Sequence, residues 1–180
     1  MKKIDTYLSV DLDYWGTYKR LNKKNTNTFI DKCISIEAPI QIVVSHEKIL
    51  KHINKYKISN LINIDYHADI GDESYRMDLN EGTWANFYKY KKDCNFIWRR
   101  PMPEYDMHNG RCDLYYKSNW EEITTGYKQI TSIYSTRGIE WNSVEEICFC
   151  ISPEYLCVNM SWLADRYAIF AKYKHLLTNK

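Results

Sequence analysis

The sequence has little net charge: 25 Lys and Arg against 23 Asp and Glu leave +2. A dedicated nucleic-acid binder usually carries more positive charge, and in clusters. No stretch approaches the ~18–20 apolar residues of a membrane-spanning helix, so no membrane partner is expected. The opening MKKIDTYLSVDLDYWG meets Asp5 before any apolar run, which does not read as a secretory signal. The cysteines (Cys33, Cys94, Cys112, Cys148, Cys150 and Cys157) form no CxxC pair. Without a paired framework, free thiols in a reducing, cytoplasmic setting are expected. Cys148 and Cys150 lie in the apolar run ICFCIS and read as small buried hydrophobes. Glycine and proline are scarce, which we read as compositional bias. There is no internal repeat, low-complexity run or linker, so residues 1–180 are expected to form a single domain.

What is present is ordinary for a folded protein. Hydrophobic content of 44% with 27% charged residues excludes general disorder. A chain of 180 residues is long enough to bury a core without disulfides or a structural metal. Short, continuously apolar runs mark strands at 6–10, 41–44, 61–64, 95–98 and 147–151. After Ser45, a plausible N-cap, HEKILKHINKYK places Ile49, Leu50, Ile53 and Tyr56 at helical spacing. A polar segment at Lys19 to Asn27 reads as surface helix or loop, and a final helix is expected from Ser161 to about Leu177. The stretch from 101 to 140 has little periodicity and reads as loops, with one helix around Asn119 to Ile123. Strand–helix alternation of this kind predicts an α/β domain: three layers, a mainly parallel sheet with helices on both faces.

The residues able to do chemistry follow the apolar runs. Asp11 and Asp13 follow YLSV, His46 follows QIVVS, Asp65, His67 and Asp69 follow LINI, and Glu154 follows ICFCISP. In a parallel sheet the carboxyl ends of the strands share one edge, where ligands bind. The most specific element is Asp65-Tyr66-His67-Ala68-Asp69. At this composition a D-x-H-x-D match is expected by chance only ~0.02 times in the chain. In an extended segment positions i, i+2 and i+4 point to one side, so the three side chains can converge on a cation. Carboxylates with imidazole suit Mn, Fe or Zn; the excess of oxygen favours Mn, and a cluster without Cys argues against a structural zinc. His52, His108 and His175 lie in polar or helical settings and receive no role. Trp84, Trp98, Tyr105 and Trp120 read as core aromatics, with an aromatic wall for a cationic side chain as the rarer alternative.

On the words SVDLDYW, VVSHEKIL, NIDYHADI, EGTWANFY and FIWRRP, the chain resembles the arginase-like ureohydrolases, in particular the divergent branch that includes the peptide arginases. The resemblance implies a pair of manganese ions held by Asp11, Asp13, His46, Asp65, His67 and Asp69, with Asp65 and Asp11 or Asp13 bridging them. It implies hydrolysis of a guanidinium carbon, in arginine or an arginine residue of a peptide, with release of urea. A guanidinium needs an anionic partner; Glu154 resembles in position the substrate-binding glutamate of arginases, and Glu81 is the second candidate. Two features depart from the family. The D-x-D strand comes first in this chain, and 180 residues is short for the fold. The alternatives are a deacetylase-like amide hydrolase with one zinc on the same general fold, or a binding protein that keeps the fold without catalysis.

Overall fold

The apolar runs form the centre of a parallel sheet. The computed structural model describes residues 1–15, 23–70, 78–79, 82–101 and 126–151. Its six strands are β1 (Lys2–Asp11), β2 (Ile40–Val43), β3 (Tyr56–Ile64), β4 (Asn95–Arg100), β5 (Gln129–Tyr134) and β6 (Val144–Cys150). They lie in the order β2-β6-β1-β3-β4-β5, and every neighbouring pair is parallel. The mainly parallel α/β architecture expected from the sequence is therefore the one observed. A parallel sheet is covered on both faces, which is why its central strands read as unbroken apolar runs rather than alternating ones.

Alternation along each strand divides the core in two. Leu8, Val10, Ile62, Ile64, Ile147 and Phe149 point into one layer. There they meet the helix α1 (Lys23–Ser35), whose Phe29, Ile30, Cys33 and Ile34 form one apolar stripe. Tyr7, Leu61, Cys148 and Cys150 point into the other layer. That side is covered by the short helix α2 (Leu50–Ile53), by Ile49 just before it, and by Trp84, Ala85 and Tyr88.

Several elements differ from the sequence reading. The helix expected over His46 to Lys57 is a 3-10 turn at His46–Ile49 followed by the single turn of α2. Its last expected apolar position, Tyr56, instead opens β3 and packs in the second layer. Ser45 precedes the turn in extended conformation, but its hydroxyl bonds the Glu47 carboxylate rather than capping the backbone. The polar segment continues into α1 as far as Ser35, and β5 lies in the stretch read as loops. The expected helices at 119–123 and 161–177 lie outside the described residues.

One side chain completes a strand edge. β4 begins at Asn95, opposite Asn60, so the start of β3 has a strand neighbour only on its β1 side. The Tyr88 hydroxyl fills the gap, accepting from the Ile58 N–H at 2.9 Å and donating to the Tyr56 carbonyl at 3.0 Å. Tyr88→Phe leaves both buried backbone groups unpaired, which typically costs ~1–3 kcal/mol. Urea unfolding should show a lower midpoint at unchanged slope; an unchanged midpoint would show that water satisfies those groups.

Candidate metal centre

The second layer turns polar where the strands end. Register sets Cys148, Ser9 and Asn63 side by side on β6, β1 and β3, and Asp11 opposite Cys150 one step further along. Asp65 follows β3 directly, its N–H bonded to the Arg99 carbonyl at 3.2 Å, so it continues that row. His46 arrives from the edge strand β2, and Asp69 from the loop after β3. Four side chains with less than a tenth of their surface exposed thus meet at the carboxyl edge of the sheet: Asp11, His46, Asp65 and Asp69.

They converge on one atom. Nδ1 of His46 lies 2.8 Å from Asp69 Oδ2, 3.0 Å from Asp65 Oδ2 and 3.3 Å from Asp11 Oδ2. None of the three oxygens accepts a directed hydrogen bond from it. The opposite nitrogen, Nε2, is 2.6 Å from Ser9 Oγ. The tautomer that donates from Nε2 to Ser9 leaves the Nδ1 lone pair facing the carboxylates, the usual arrangement behind a metal-ligating histidine.

The surroundings hold these groups in place. Asp65 Oδ1 accepts from the His67 N–H at 2.9 Å, and the Asp65 carbonyl accepts from the Trp98 indole at 2.9 Å. The Trp84 indole donates to Asp69 Oδ2 at 2.5 Å, and the Asp69 carbonyl accepts from the Ala85 N–H at 3.2 Å. Asp69 itself is left-handed, at φ 57°, a conformation Asp tolerates better than most residues. The His46 ring lies against Trp84 with centroids 4.8 Å apart. Trp84 and Trp98 are therefore buried supports of the centre rather than a wall facing substrate.

The electrostatics call for a cation. Among the described residues one imidazole faces three buried carboxylates, so even its charged form leaves two negative charges in excess. Burial, then the charges of Asp69 and Asp11, push the Asp65 carboxyl well above the usual range, only partly offset by His46. For His46 burial acts downward, but Asp69, with Cys150, Asp11 and Asp65, overrides it and raises the imidazole well above its ordinary value. A divalent ion relieves both conditions, and an orphaned imidazole nitrogen beside three carboxylate oxygens is a suitable donor set.

Of the other expected site residues, only the side chain of His67 lies within the described part, and it is placed apart from this cluster. D-x-H-x-D does not run extended: the turn closed by Asp65 on the His67 N–H bends the chain, a habit of Asp. The His67 ring packs edge-on to Tyr66 at 5.1 Å and is not among the groups whose ligand atoms lie together. Asp13 falls in the 3-10 turn Leu12–Trp15, and its side chain is outside the described part, as are Glu81 and Glu154. Cys150 was read from sequence only as a buried hydrophobe. Its sulfur, with ligand atoms of Asp11 and His46, forms a group within 4.8 Å, so the cluster does contain a cysteine. Ser9 is the other residue missed. Alternation back from Asp11 could have flagged it; Cys150 required knowledge of which strand lies beside β1.

Comparison with family models, curated proteins and solved structures finds no match to this chain.

The charge balance separates two substitutions that would otherwise look alike. His46→Ala removes the one basic group that, among the described residues, faces all three carboxylates, and should destabilise the metal-free protein by ~3–5 kcal/mol. Asp65→Asn keeps an acceptor for the His67 N–H while removing one repelling charge, so the metal-free variant should melt no lower than the parent. Both should lose the rise in melting temperature on adding Mn²⁺ or Zn²⁺. An Asp65→Asn protein as unstable as His46→Ala would contradict this balance.

Proposed function

We propose that this chain is a divalent-metal-dependent hydrolase of the arginase-like kind, cleaving a guanidinium C–N bond in a small molecule or peptide and releasing urea. The observation that carries this reading is the convergence of Asp11, His46, Asp65 and Asp69 on the His46 Nδ1 position. These residues come from three separate strand ends and are among those that the resemblance names as ligands. They would hold the ion. When bound, such a metal lowers the pKa of water and so provides a nucleophile near neutral pH.

The chain's own residues do the remaining work. Ser9 fixes the tautomer and orientation of His46, and the Trp84 and Trp98 indoles hold the loop that carries Asp65 and Asp69. The burial of all four donors keeps bulk water from screening them. Glu154, with Glu81 as the alternative, is proposed to orient the guanidinium by matching its fork of N–H donors.

A second reading, a one-metal amide hydrolase, is favoured by a specific feature. Both groups of donor atoms share the single imidazole of His46, whose Nε2 is already engaged by Ser9. Elemental analysis with product assays separates the readings. Two Mn per chain with urea released from arginine or arginine peptides supports the first. One Zn with amide cleavage supports the second, and neither metal nor turnover leaves a binding protein.

Two variants test the assigned roles. Ser9→Ala should weaken metal binding by ~10–100-fold without unfolding the protein, as loss of a group behind a ligand does; unchanged affinity would remove Ser9 from the centre. Glu154→Gln should keep its metal but lose ~10–150-fold in kcat/KM, the equivalent of a charge-assisted contact worth ~1.5–3 kcal/mol. Loss of metal in that variant would make Glu154 a ligand instead.

A further inference from the structure

Cys148 and Cys150 are both buried, and both face the same layer of the core. A buried free thiol is ordinarily a small hydrophobe, and Cys148 fits that description. Cys150 differs in its neighbours. It is the last residue of β6, directly opposite Asp11 in register. Its sulfur, one Asp11 carboxylate oxygen and a His46 ring nitrogen all lie within 4.8 Å of one another. The contact it makes to the Val44 carbonyl, at 3.6 Å, is a weak thiol hydrogen bond that a metal can displace.

A second observation points into the same space. His46 Nδ1 is buried and without a directed hydrogen bond, although three carboxylate oxygens crowd it. Sulfur and oxygen ligands bound at ~2.0–2.3 Å lie at most about 4.5 Å apart across one ion. The observed group therefore needs only a small contraction to close on one ion. Because Ser9 occupies Nε2, His46 has one nitrogen to offer, and one ion between the rows is the arrangement these donors support.

We infer that Cys150 Sγ is a metal ligand alongside Asp11 and His46, and that the centre therefore prefers zinc-class cations to manganese. This rests on the metal-dependent reading above, taken with one ion rather than two, and specifies that ion. The preference follows from ligand softness: a thiolate favours Zn²⁺, Co²⁺ and Cd²⁺, whereas carboxylates alone suit Mn²⁺ and Mg²⁺. On coordination the thiol releases its proton to solvent, and the thiolate charge stays on the sulfur bound to the ion.

The experiment is a Co²⁺ titration of the metal-stripped full chain, followed by absorption spectroscopy. The expected result is a near-ultraviolet sulfur-to-cobalt charge-transfer band that saturates at one ion per chain. Cys150→Ser should abolish the band while still binding Co²⁺ more weakly, and Cys148→Ser should keep it. Zn²⁺ should displace the cobalt, and Mn²⁺ at equal concentration should not. Bound cobalt without the band, or a band that survives Cys150→Ser, overturns the inference but leaves a metal centre of oxygen and nitrogen ligands standing. Absence of cobalt binding overturns the metal reading and this inference together. Should Cys150→Ser fail to fold, the Cys148→Ser chain decides: a sulfur-to-cobalt band that persists there supports the inference, and loss of the band counts against it.

Discussion

Three carboxylates around one buried imidazole nitrogen are the constraint on which the rest of this structure depends. Asp11, Asp65 and Asp69 repel one another, and each is almost fully withdrawn from water. Like charges in such a setting are expensive unless paired. Among the described residues, His46 alone leaves them short of positive charge. The chain nevertheless holds them together, through indole donors to Asp69 and to the backbone of Asp65, and through Ser9 behind the imidazole. A bound cation, as proposed, would relieve that repulsion.

The sheet makes that arrangement affordable by separating two tasks. One layer gathers Leu8, Val10, Ile62, Ile64, Ile147 and Phe149 against the stripe of α1 and supplies burial free energy. The other mixes apolar residues with polar ones. At the carboxyl edge it holds the centre, and deeper down it buries Glu146, which accepts from the Tyr56 hydroxyl at 2.7 Å. Parallel pairing puts every strand's carboxyl end on one edge. Residues as distant in sequence as Asp11, His46, Asp65 and Cys150 therefore come together without long loops.

The central strands were legible because fully buried parallel strands are continuous apolar runs, as in YLSV, QIV, LINI and ICFC. The edge strand β5 was not, since QITSIY is half exposed and lacks such a run. α1 was hidden because its first half, KKNTNT, is polar and its apolar stripe begins only at Phe29. At the centre, position after a strand was enough to nominate Asp11, His46, Asp65 and Asp69. Alternation failed within D-x-H-x-D, because Asp65 bonds the backbone two residues on and turns the chain. Ser9 and Cys150 depend on strand order and register, which a single sequence does not display.

The proposed function stands on the space beside His46 Nδ1 being a cation site. Crystals of the full chain grown with Mn²⁺ or Zn²⁺ test it directly, through anomalous difference density collected at the metal's absorption edge. A cation site there requires a peak within bonding distance of His46 Nδ1 and of carboxylate oxygens from Asp11, Asp65 and Asp69. A map with no peak there, and with His46 still in contact with the three carboxylates, would contradict it and leave the cluster as a structural ion-pair network.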